Sequence, residues 1–235
     1  MKMAIIVLAA LLLTLLSVGQ SAPLTDCDSL TRRVEITGRD QLLGNWRHIG
    51  ESSTVPVAPN MMKRFLETSW AQLTAADEPD SIIIKQLQKV FGRCFFLKAK
   101  ATLMNSTLSF VSPFTIVEVF LTTSCPDCLV VSSNTTLGLT TYSGLQLLSR
   151  RDSVTPAELD EYRKQVKCLN LPDPVILNTE RGYCLDDASV QDLTPAIHSG
   201  GTDVMAQMDE LLKNKAAIEQ LLQGVFNSLL PSQDN

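Results

Sequence analysis

The chain has 235 residues, a formal net charge of −5 and a hydrophobic content of 45%. This hydrophobic content is too high for a disordered chain, and the length suits one large domain or two small ones. The acidic balance argues against a protein that binds nucleic-acid phosphates, so we expect no nucleic-acid partner.

The N-terminal residues 1–22 have the pattern of a secretory signal peptide. Lys2 is followed by an apolar run from Ala4 to Leu16, and small and polar residues follow up to Ala22. The apolar run is shorter than the ~20 residues that a membrane-spanning helix needs, and an uncleaved anchor is the less favoured alternative. We therefore expect cleavage within residues 19–22, a secreted extracellular protein of plasma and no transmembrane segment.

Residues 43 to about 150 show a β pattern. Short runs rich in Val, Ile, Thr, Phe and Leu alternate with turn residues, and the short connections favour antiparallel neighbours. Pro126-Asp127 predicts a tight hairpin. Eight such strands suit an all-β, up-and-down barrel that holds one small ligand, and a two-sheet sandwich is the alternative on this pattern alone. The predicted strands cover residues 43–53, 65–75, 81–91, 93–103, 106–112, 114–123, 128–133 and 137–149.

A flanking α-helix is predicted after the barrel. Thr155-Pro156-Ala157-Glu158 has the sequence of a capping box with proline at the first helical position. Leu171-Pro172-Asp173-Pro174 ends the helix, and Val175-Ile176-Leu177 is a candidate ninth strand.

The C-terminal tail differs from the rest of the chain. Ser199-Gly200-Gly201 predicts a flexible break, and residues 203–230 predict a long amphipathic helix. This helix either packs on the barrel or contacts lipid or a partner, for which lipoprotein particles are the candidate. The predicted organisation is a signal peptide at 1–22, a barrel domain at 23–190, and a linker with the amphipathic helix at 191–235.

Cysteines and glycosylation sequons fit an extracellular protein. Because the expected compartment is oxidising, the six cysteines predict three disulfides, and their spacing leaves the connectivity open. Asn105-Ser106-Thr107 and Asn134-Thr135-Thr136 are sequons, and both fall between β-rich runs, where acceptor loops are expected. The cysteines are Cys27, Cys94, Cys125, Cys128, Cys168 and Cys184.

Gly44-Asn45-Trp46, at the start of the first predicted strand, resembles the Gly-x-Trp signature of the lipocalin family. The resemblance implies structural roles for Gly44 and Trp46, and it implies that Arg150 lies across Trp46 and seals the closed end of the barrel. Arg151 is the alternative residue for that role. The middle lipocalin motif, Thr-Asp-Tyr, is replaced here by Pro126-Asp127-Cys128, so the match at this hairpin is partial.

Three stretches resemble the lipocalin branch that contains alpha-1-acid glycoprotein, apolipoprotein M and the fish saxitoxin- and tetrodotoxin-binding proteins. They are Leu137–Tyr142, Glu158–Leu171 and Ser124-Cys125-Pro126. The resemblance covers residues 27 to about 187. It implies the disulfides Cys27–Cys168 and Cys94–Cys184. It leaves Cys125 and Cys128, where the chain departs from both relatives, to pair with each other.

Alternation along the strands predicts which side chains line the barrel, because every second side chain points to the same face. With Trp46 inward, His48, Gly50 and Ser52 are predicted inward on the first strand. On the last strand, the predicted inward residues are Tyr142, Gly144, Gln146 and Leu148. The family resemblance supports His48 and Tyr142 and adds Leu73 and Ala71, the latter in place of a bulkier residue. The predicted ligand-binding residues are His48, Ala71, Leu73, Glu118, Thr140, Tyr142 and Gln146.

Two of these residues have plain alternatives. His48 is equally consistent with a satisfied core histidine. Glu118 stands in a strand whose two faces are both apolar, so alternation does not decide its direction. Facing outward it is an ordinary surface charge, whereas facing inward it is a partner for a cationic group on a ligand, because a buried carboxylate needs a counter-charge. The Ser52–Lys63 loop is predicted to form a lid at the mouth.

The sequence supplies little for catalysis. It has no Gly-rich phosphate loop and no His-Glu-x-x-His, and neither His48 nor His198 has a nucleophile as an obvious partner. Strands flank Cys125 and Cys128, whereas a redox pair needs a helix N-terminus, and a zinc site needs further ligands. We therefore expect no enzyme, no cofactor and no metal.

The predicted function is a secreted carrier. It would reversibly bind a small hydrophobic or amphipathic molecule, such as a lipid, toxin or xenobiotic, inside the barrel. The alternative is an interaction protein whose C-terminal helix docks on lipoprotein or another partner.

Overall fold

The computed structural model describes residues 27–56, 58–111, 115–187 and 189–195. The predicted signal peptide lies outside the described residues. The helix predicted at 203–230 lies outside them as well, together with the lipid or lipoprotein contact assigned to it. Among the described helices, none is long and apolar enough to cross a membrane.

Eight antiparallel strands form a closed barrel. Each strand pairs with the next in the chain, and the first strand also pairs with the eighth, which closes the ring. This closure confirms the predicted barrel and rules out the two-sheet sandwich. The strands are β1 (Gly44–Ser53), β2 (Leu66–Ala75), β3 (Ser81–Val90), β4 (Arg93–Met104), β5 (Thr107–Phe110), β6 (Thr115–Leu121), β7 (Cys128–Leu137) and β8 (Thr140–Ser149).

The two sequons occupy different kinds of backbone. Asn105 and Ser106 form the turn between β4 and β5, both with positive φ, so Asn105 lies in a loop as expected. Asn134 does not, because β7 continues to Leu137 and the chain turns only at Gly138. Asn134 is an exposed strand residue whose side-chain oxygen accepts a hydrogen bond from Ser143 Oγ at 2.9 Å. The expectation of a loop at Asn134 was therefore wrong.

The connection from β6 to β7 is wider than the predicted tight hairpin. It runs from Thr122 to Asp127. The Asp127 carbonyl accepts a hydrogen bond from the backbone N–H of Arg150, and its carboxylate accepts one from Arg151 Nε at 2.7 Å. These bonds anchor the loop to the end of β8.

In the described part of the chain, three α-helices flank the barrel: α1 (Cys27–Leu30), α2 (Ala58–Phe65) and α3 (Pro156–Cys168). α3 begins with the predicted capping box, in which Thr155 and Glu158 each accept the other's backbone N–H. Tyr162 and Val166 of α3 are buried against the outer wall of the barrel, and the Tyr162 hydroxyl donates to the Leu145 carbonyl at 2.7 Å.

Two short strands extend the sheet. β9 (Val175–Ile176) pairs antiparallel with β1 at the predicted position. β10 (Gln191–Asp192) pairs parallel with β4, and the N–H of Leu193 donates to the carbonyl of Phe96. Residues 191–193 therefore bond to the barrel sheet, directly after the predicted domain boundary at residue 190.

The three disulfides have the pairing that the family resemblance implied. Cys27–Cys168 joins α1 to α3, Cys94–Cys184 joins β4 to the segment after β9, and Cys125–Cys128 lies at the β6–β7 connection. The first two tie the segments outside the barrel to its wall or to α3.

Candidate ligand-binding site

Trp46 forms the floor of the barrel. Its side chain is buried, and its indole N–H donates to the carbonyl of Leu42 at 2.7 Å. The guanidinium of Arg150 lies 3.6 Å from the ring centroid and donates to the carbonyls of Leu43 and Asn45. Arg150 thus covers Trp46 and closes this end.

The alternative residue for this role lies elsewhere. Arg151 donates to the carboxylates of Asp127 and Glu158 and does not stack on Trp46. Gly44 is also explained by Arg150: it has φ of 101°, and a Cβ there would lie 2.6 Å from Arg150 Nη1. Only glycine accepts both this backbone conformation and this close approach.

Arg150→Ala should lower the free energy of unfolding by about 1–2 kcal/mol, because it removes a cation–π contact and two charged hydrogen bonds at a partly exposed site. Urea denaturation measures the change. Arg151→Ala is a control for Trp46 exposure: it should leave the accessibility of Trp46 to iodide quenching unchanged, whereas Arg150→Ala should increase it. Equal quenching in the two variants would contradict a role for Arg150 as the cover of Trp46.

A cavity of about 390 Å³ lies above Trp46, inside the barrel. Its volume is within the usual range for small-molecule sites, ~300–1,000 Å³. Leu73 and Ala71, both predicted ligand-binding residues, lie on the β2 wall, where Ala71 pairs with Trp46. The apolar lining includes Leu73, Ile84, Leu108, Phe120, Val131 and Leu148, and the polar lining includes His48, Glu51, Glu118, Ser133, Tyr142 and Gln146.

A β-bulge in β1 changes which residues face the cavity. His48 pairs with Leu148 and Gly50 pairs with Leu147, so Ile49 is the extra residue. After the bulge the alternation is reversed, and Glu51 faces the cavity beside His48. Sequence alternation missed Glu51, although a glycine inside a strand is a known signal of a bulge.

The predicted inward directions of Gly50 and Ser52 are therefore wrong. A Cβ on Gly50 would lie 2.8 Å from Ile176 Cδ1 and 3.3 Å from Tyr162 Cε1, which places this residue against β9 and α3 on the outer face. The Ser52 hydroxyl donates to the carbonyl of Pro172, also outside the barrel. After the bulge, Gly50 and Ser52 of β1 therefore face the outer side of the barrel, and Glu51 faces the cavity.

The last strand keeps the predicted alternation. Tyr142, Gly144, Gln146 and Leu148 all line the cavity. Thr140 does not, because it lies in the final pair of the β7–β8 hairpin, at the rim. It is the one predicted ligand-binding residue that the structure places outside the cavity lining.

Glu118 faces the cavity. It pairs with Ser133 on β7, another cavity-lining residue, and solvent reaches it only partly. Burial, and secondly the negative charge of Glu51, raise the pKa of Glu118 to about 7.

The comparisons with known proteins concern the fold. No protein-family model and no curated protein matches the sequence. Among solved structures, the siderocalin Ex-FABP, which functions through dual ligand specificities, matches with a TM-score of 0.52 and 15% identity. The match covers 58% of this chain and 93% of that chain. The chain has the lipocalin fold.

Polar groups of this lipocalin barrel meet around Glu51. Its carboxylate accepts a hydrogen bond from Gln146 Nε2 at 3.3 Å, and His48 Nε2 lies 3.5 Å away. Burial lowers the pKa of His48, which keeps the imidazole neutral at neutral pH. His48 Nε2 is buried and forms no hydrogen bond with any described residue, so the alternative of a satisfied core histidine does not hold at this atom.

The mouth of the lipocalin barrel lies at the end opposite Trp46. The segment predicted as a lid, Ser52–Lys63, contains most of α2, and Val55 just before α2 lines the cavity. The rings of Phe65 and Phe91 meet at 4.9 Å where α2 joins β2 and β3 turns into β4. Thr194, just after β10, also lines the cavity and was not predicted, because the tail carries no strand pattern.

The cysteines near the β6–β7 connection do not form a metal site. Cys125, Asp127 and Cys128 bring their ligand atoms within 4.8 Å of one another. Both sulfurs are joined in a disulfide, so neither is the thiolate that zinc requires.

Proposed function

We propose that the protein is a secreted carrier that reversibly binds one small amphipathic molecule inside the barrel and catalyses no reaction on it. The observation that carries this proposal is the cavity itself, whose lining combines apolar side chains with a few polar groups. Burial of apolar ligand surface contributes roughly 25 cal/mol per Å², and the polar groups orient the ligand.

Secretion is supported by features outside the cavity. The N-terminal residues have the pattern of a signal peptide, and three disulfides fit an oxidising compartment. Asn105 and Asn134 are both exposed and are proposed glycosylation sites. The proposed placement in the branch of alpha-1-acid glycoprotein and apolipoprotein M rests on the sequence stretches quoted above and on the matching disulfide pairs.

A neutral fluorescent probe tests the carrier function. N-phenyl-1-naphthylamine should bind once per chain and quench tryptophan emission, because Trp46 lies at the floor of the cavity. The second tryptophan is a built-in control. Trp70 also borders the cavity, but its indole N–H donates to the carbonyl of Cys184 and its ring packs with Val190, on the outer side of β2.

The two tryptophans should respond differently. Trp46→Phe should remove most of the ligand-dependent quenching, whereas Trp70→Phe should retain it. If the probe binds at several equivalent sites, or quenches Trp70 alone, the barrel interior is not the binding site.

Tyr142→Ala should weaken probe binding about tenfold, because it removes a buried ring from the cavity wall. Thr141→Ala is the matched control, since Thr141 is the exposed neighbour on the same strand. Fluorescence titration of both variants, with circular dichroism to verify the fold, measures the effect. Unchanged affinity in Tyr142→Ala would contradict the proposed position of the ligand.

A further inference from the structure

Two carboxylates face the same cavity, and no lysine or arginine among the described residues lies beside them. Glu51 and Glu118 both line the cavity. Lys98 is the one cavity-lining lysine or arginine among the described residues, but it is exposed and its ammonium lies 5.5 Å from the ring of Phe96. Phe96 packs with Cys184 on the outer side of the barrel, so Lys98 does not neutralise the interior carboxylates.

Strand pairing places the two carboxylates on one wall. Glu118 pairs with Ser133, Ser133 with Gly144, and Gly144 with Ser53. Ser53 and Glu51 are successive inward residues of β1, so Glu51 lies one inward position below the row that contains Glu118. This half of the barrel wall, formed by β1, β8, β7 and β6, therefore carries both carboxylates, and their charges are close enough to repel each other.

The polar groups near the carboxylates leave this charge uncompensated. Gln146 donates one hydrogen bond to Glu51 through its amide, which has no net charge. His48 is neutral, and its buried Nε2 has no hydrogen-bond partner among the described residues. The titratable side chains that line the cavity with Glu118 are Glu51, His48, Tyr142 and Lys98. The first three supply no positive charge at neutral pH, and the Lys98 ammonium lies by Phe96 on the outer side of the barrel.

We propose that Glu51 and Glu118 bind the positively charged group of the ligand, so that the barrel carries organic cations such as protonated amines. This inference rests on the proposed carrier function and specifies its ligand class. A cation supplies the counter-charge that the half-buried carboxylates lack, whereas an anion meets repulsion and a neutral ligand leaves their charge uncompensated. Aromatic and aliphatic side chains near Trp46 receive the apolar part of the same molecule.

Cation binding should depend on pH. A bound cation favours ionised Glu118, so protons compete with the ligand for this carboxylate. With the pKa of free Glu118 at about 7, the affinity for a cation should fall by up to tenfold for each pH unit below about 7. Protonation of His48 at low pH adds a positive charge in the cavity and acts in the same direction.

A matched pair of probes tests the inference on the full chain. Dansylcadaverine carries a primary ammonium, and its N-acetyl derivative is neutral but otherwise similar. At pH 8 the cationic probe should bind at least about tenfold more tightly than the neutral one, as expected for a charged hydrogen-bonded pair.

Substitutions assign the preference to the two carboxylates. Glu118→Gln and Glu51→Gln should each reduce affinity for the cationic probe about tenfold or more and leave the neutral probe unaffected. Glu35→Gln, at an exposed site, should change neither. Glu118→Gln should also flatten the dependence of cation affinity on pH between 8 and 5.5.

The outcomes separate the two proposals. If both probes bind equally well to the unmodified chain, or if the substitutions weaken both probes alike, the carboxylates do not select cations and the carrier function stands. If neither probe binds inside the barrel, the carrier function itself is contradicted, and the cation site with it.

Discussion

Replacing Cys27 and Cys168 together by alanine should lower the free energy of unfolding by about 3–5 kcal/mol. The two residues are 141 positions apart, so their disulfide restricts a long loop of the unfolded chain. In the native protein it also fixes α1 against the end of α3. Both effects are lost together when the bond is removed.

The third disulfide provides the matched control. Cys125 and Cys128 are 3 positions apart, so replacing this pair by alanine should cost about 2 kcal/mol or less in the same chain-entropy account. Urea denaturation of the two double variants at pH 7, without reductant, measures the difference. If removing Cys125–Cys128 costs more stability than removing Cys27–Cys168, loop length does not determine how much each disulfide stabilises the protein.

Glu118→Gln should stabilise the protein at pH 8 by about 1–3 kcal/mol and should have little effect at pH 4.5. The pKa of Glu118 is raised from 4.5 to about 7, so the native state holds a proton that the unfolded state has released between these values. Native stability therefore falls as pH rises from 4.5 to 7, and the full cost of the buried charge is present above pH 7. Glutamine carries no charge and avoids this cost.

Paired denaturation curves at pH 8 and pH 4.5 measure this effect. Glu35→Gln is the control, because Glu35 is exposed and its substitution should change stability little at either pH. Equal stability changes for Glu118→Gln at both pH values would show that the carboxylate stays solvated in the cavity. A stabilised variant that loses cation affinity would show that the barrel keeps a destabilising charge for binding.

The barrel was predictable from the sequence because its determinants are local. Runs of β-forming residues, turn residues and the Thr155 capping box fix strands, turns and α3 within a few neighbours of each position. The β10 pairing escaped prediction, because a parallel contact of two residues leaves no repeat in the sequence. The length of β7 was underestimated because Asn134 and its neighbours are polar, although they pair fully with β8.

The candidate site was predictable only where alternation is unbroken. Tyr142 and Gln146 lie on the regular strand β8 and were assigned correctly to the cavity face. Glu51 was missed because the bulge at Ile49 reverses the alternation, and counting alone cannot locate a bulge. The direction of the Glu118 side chain stayed undecided because its strand is apolar on both faces. One face lines the barrel interior, and the other lies on the outer side of the barrel.

The pairing of β1 with β8 has a consequence for biosynthesis. The first strand of the barrel emerges from the ribosome long before the partner that covers its free edge. Until β8 is made, the sheet has two unpaired edge strands and the barrel cannot close. Contacts between residues so distant in sequence also form slowly. During the time between the synthesis of β1 and that of β8, these edges can pair with the edges of other unfinished chains. Protection of the open sheet until β8 is available would therefore favour correct folding, and the Cys27–Cys168 bond can form only after that stage.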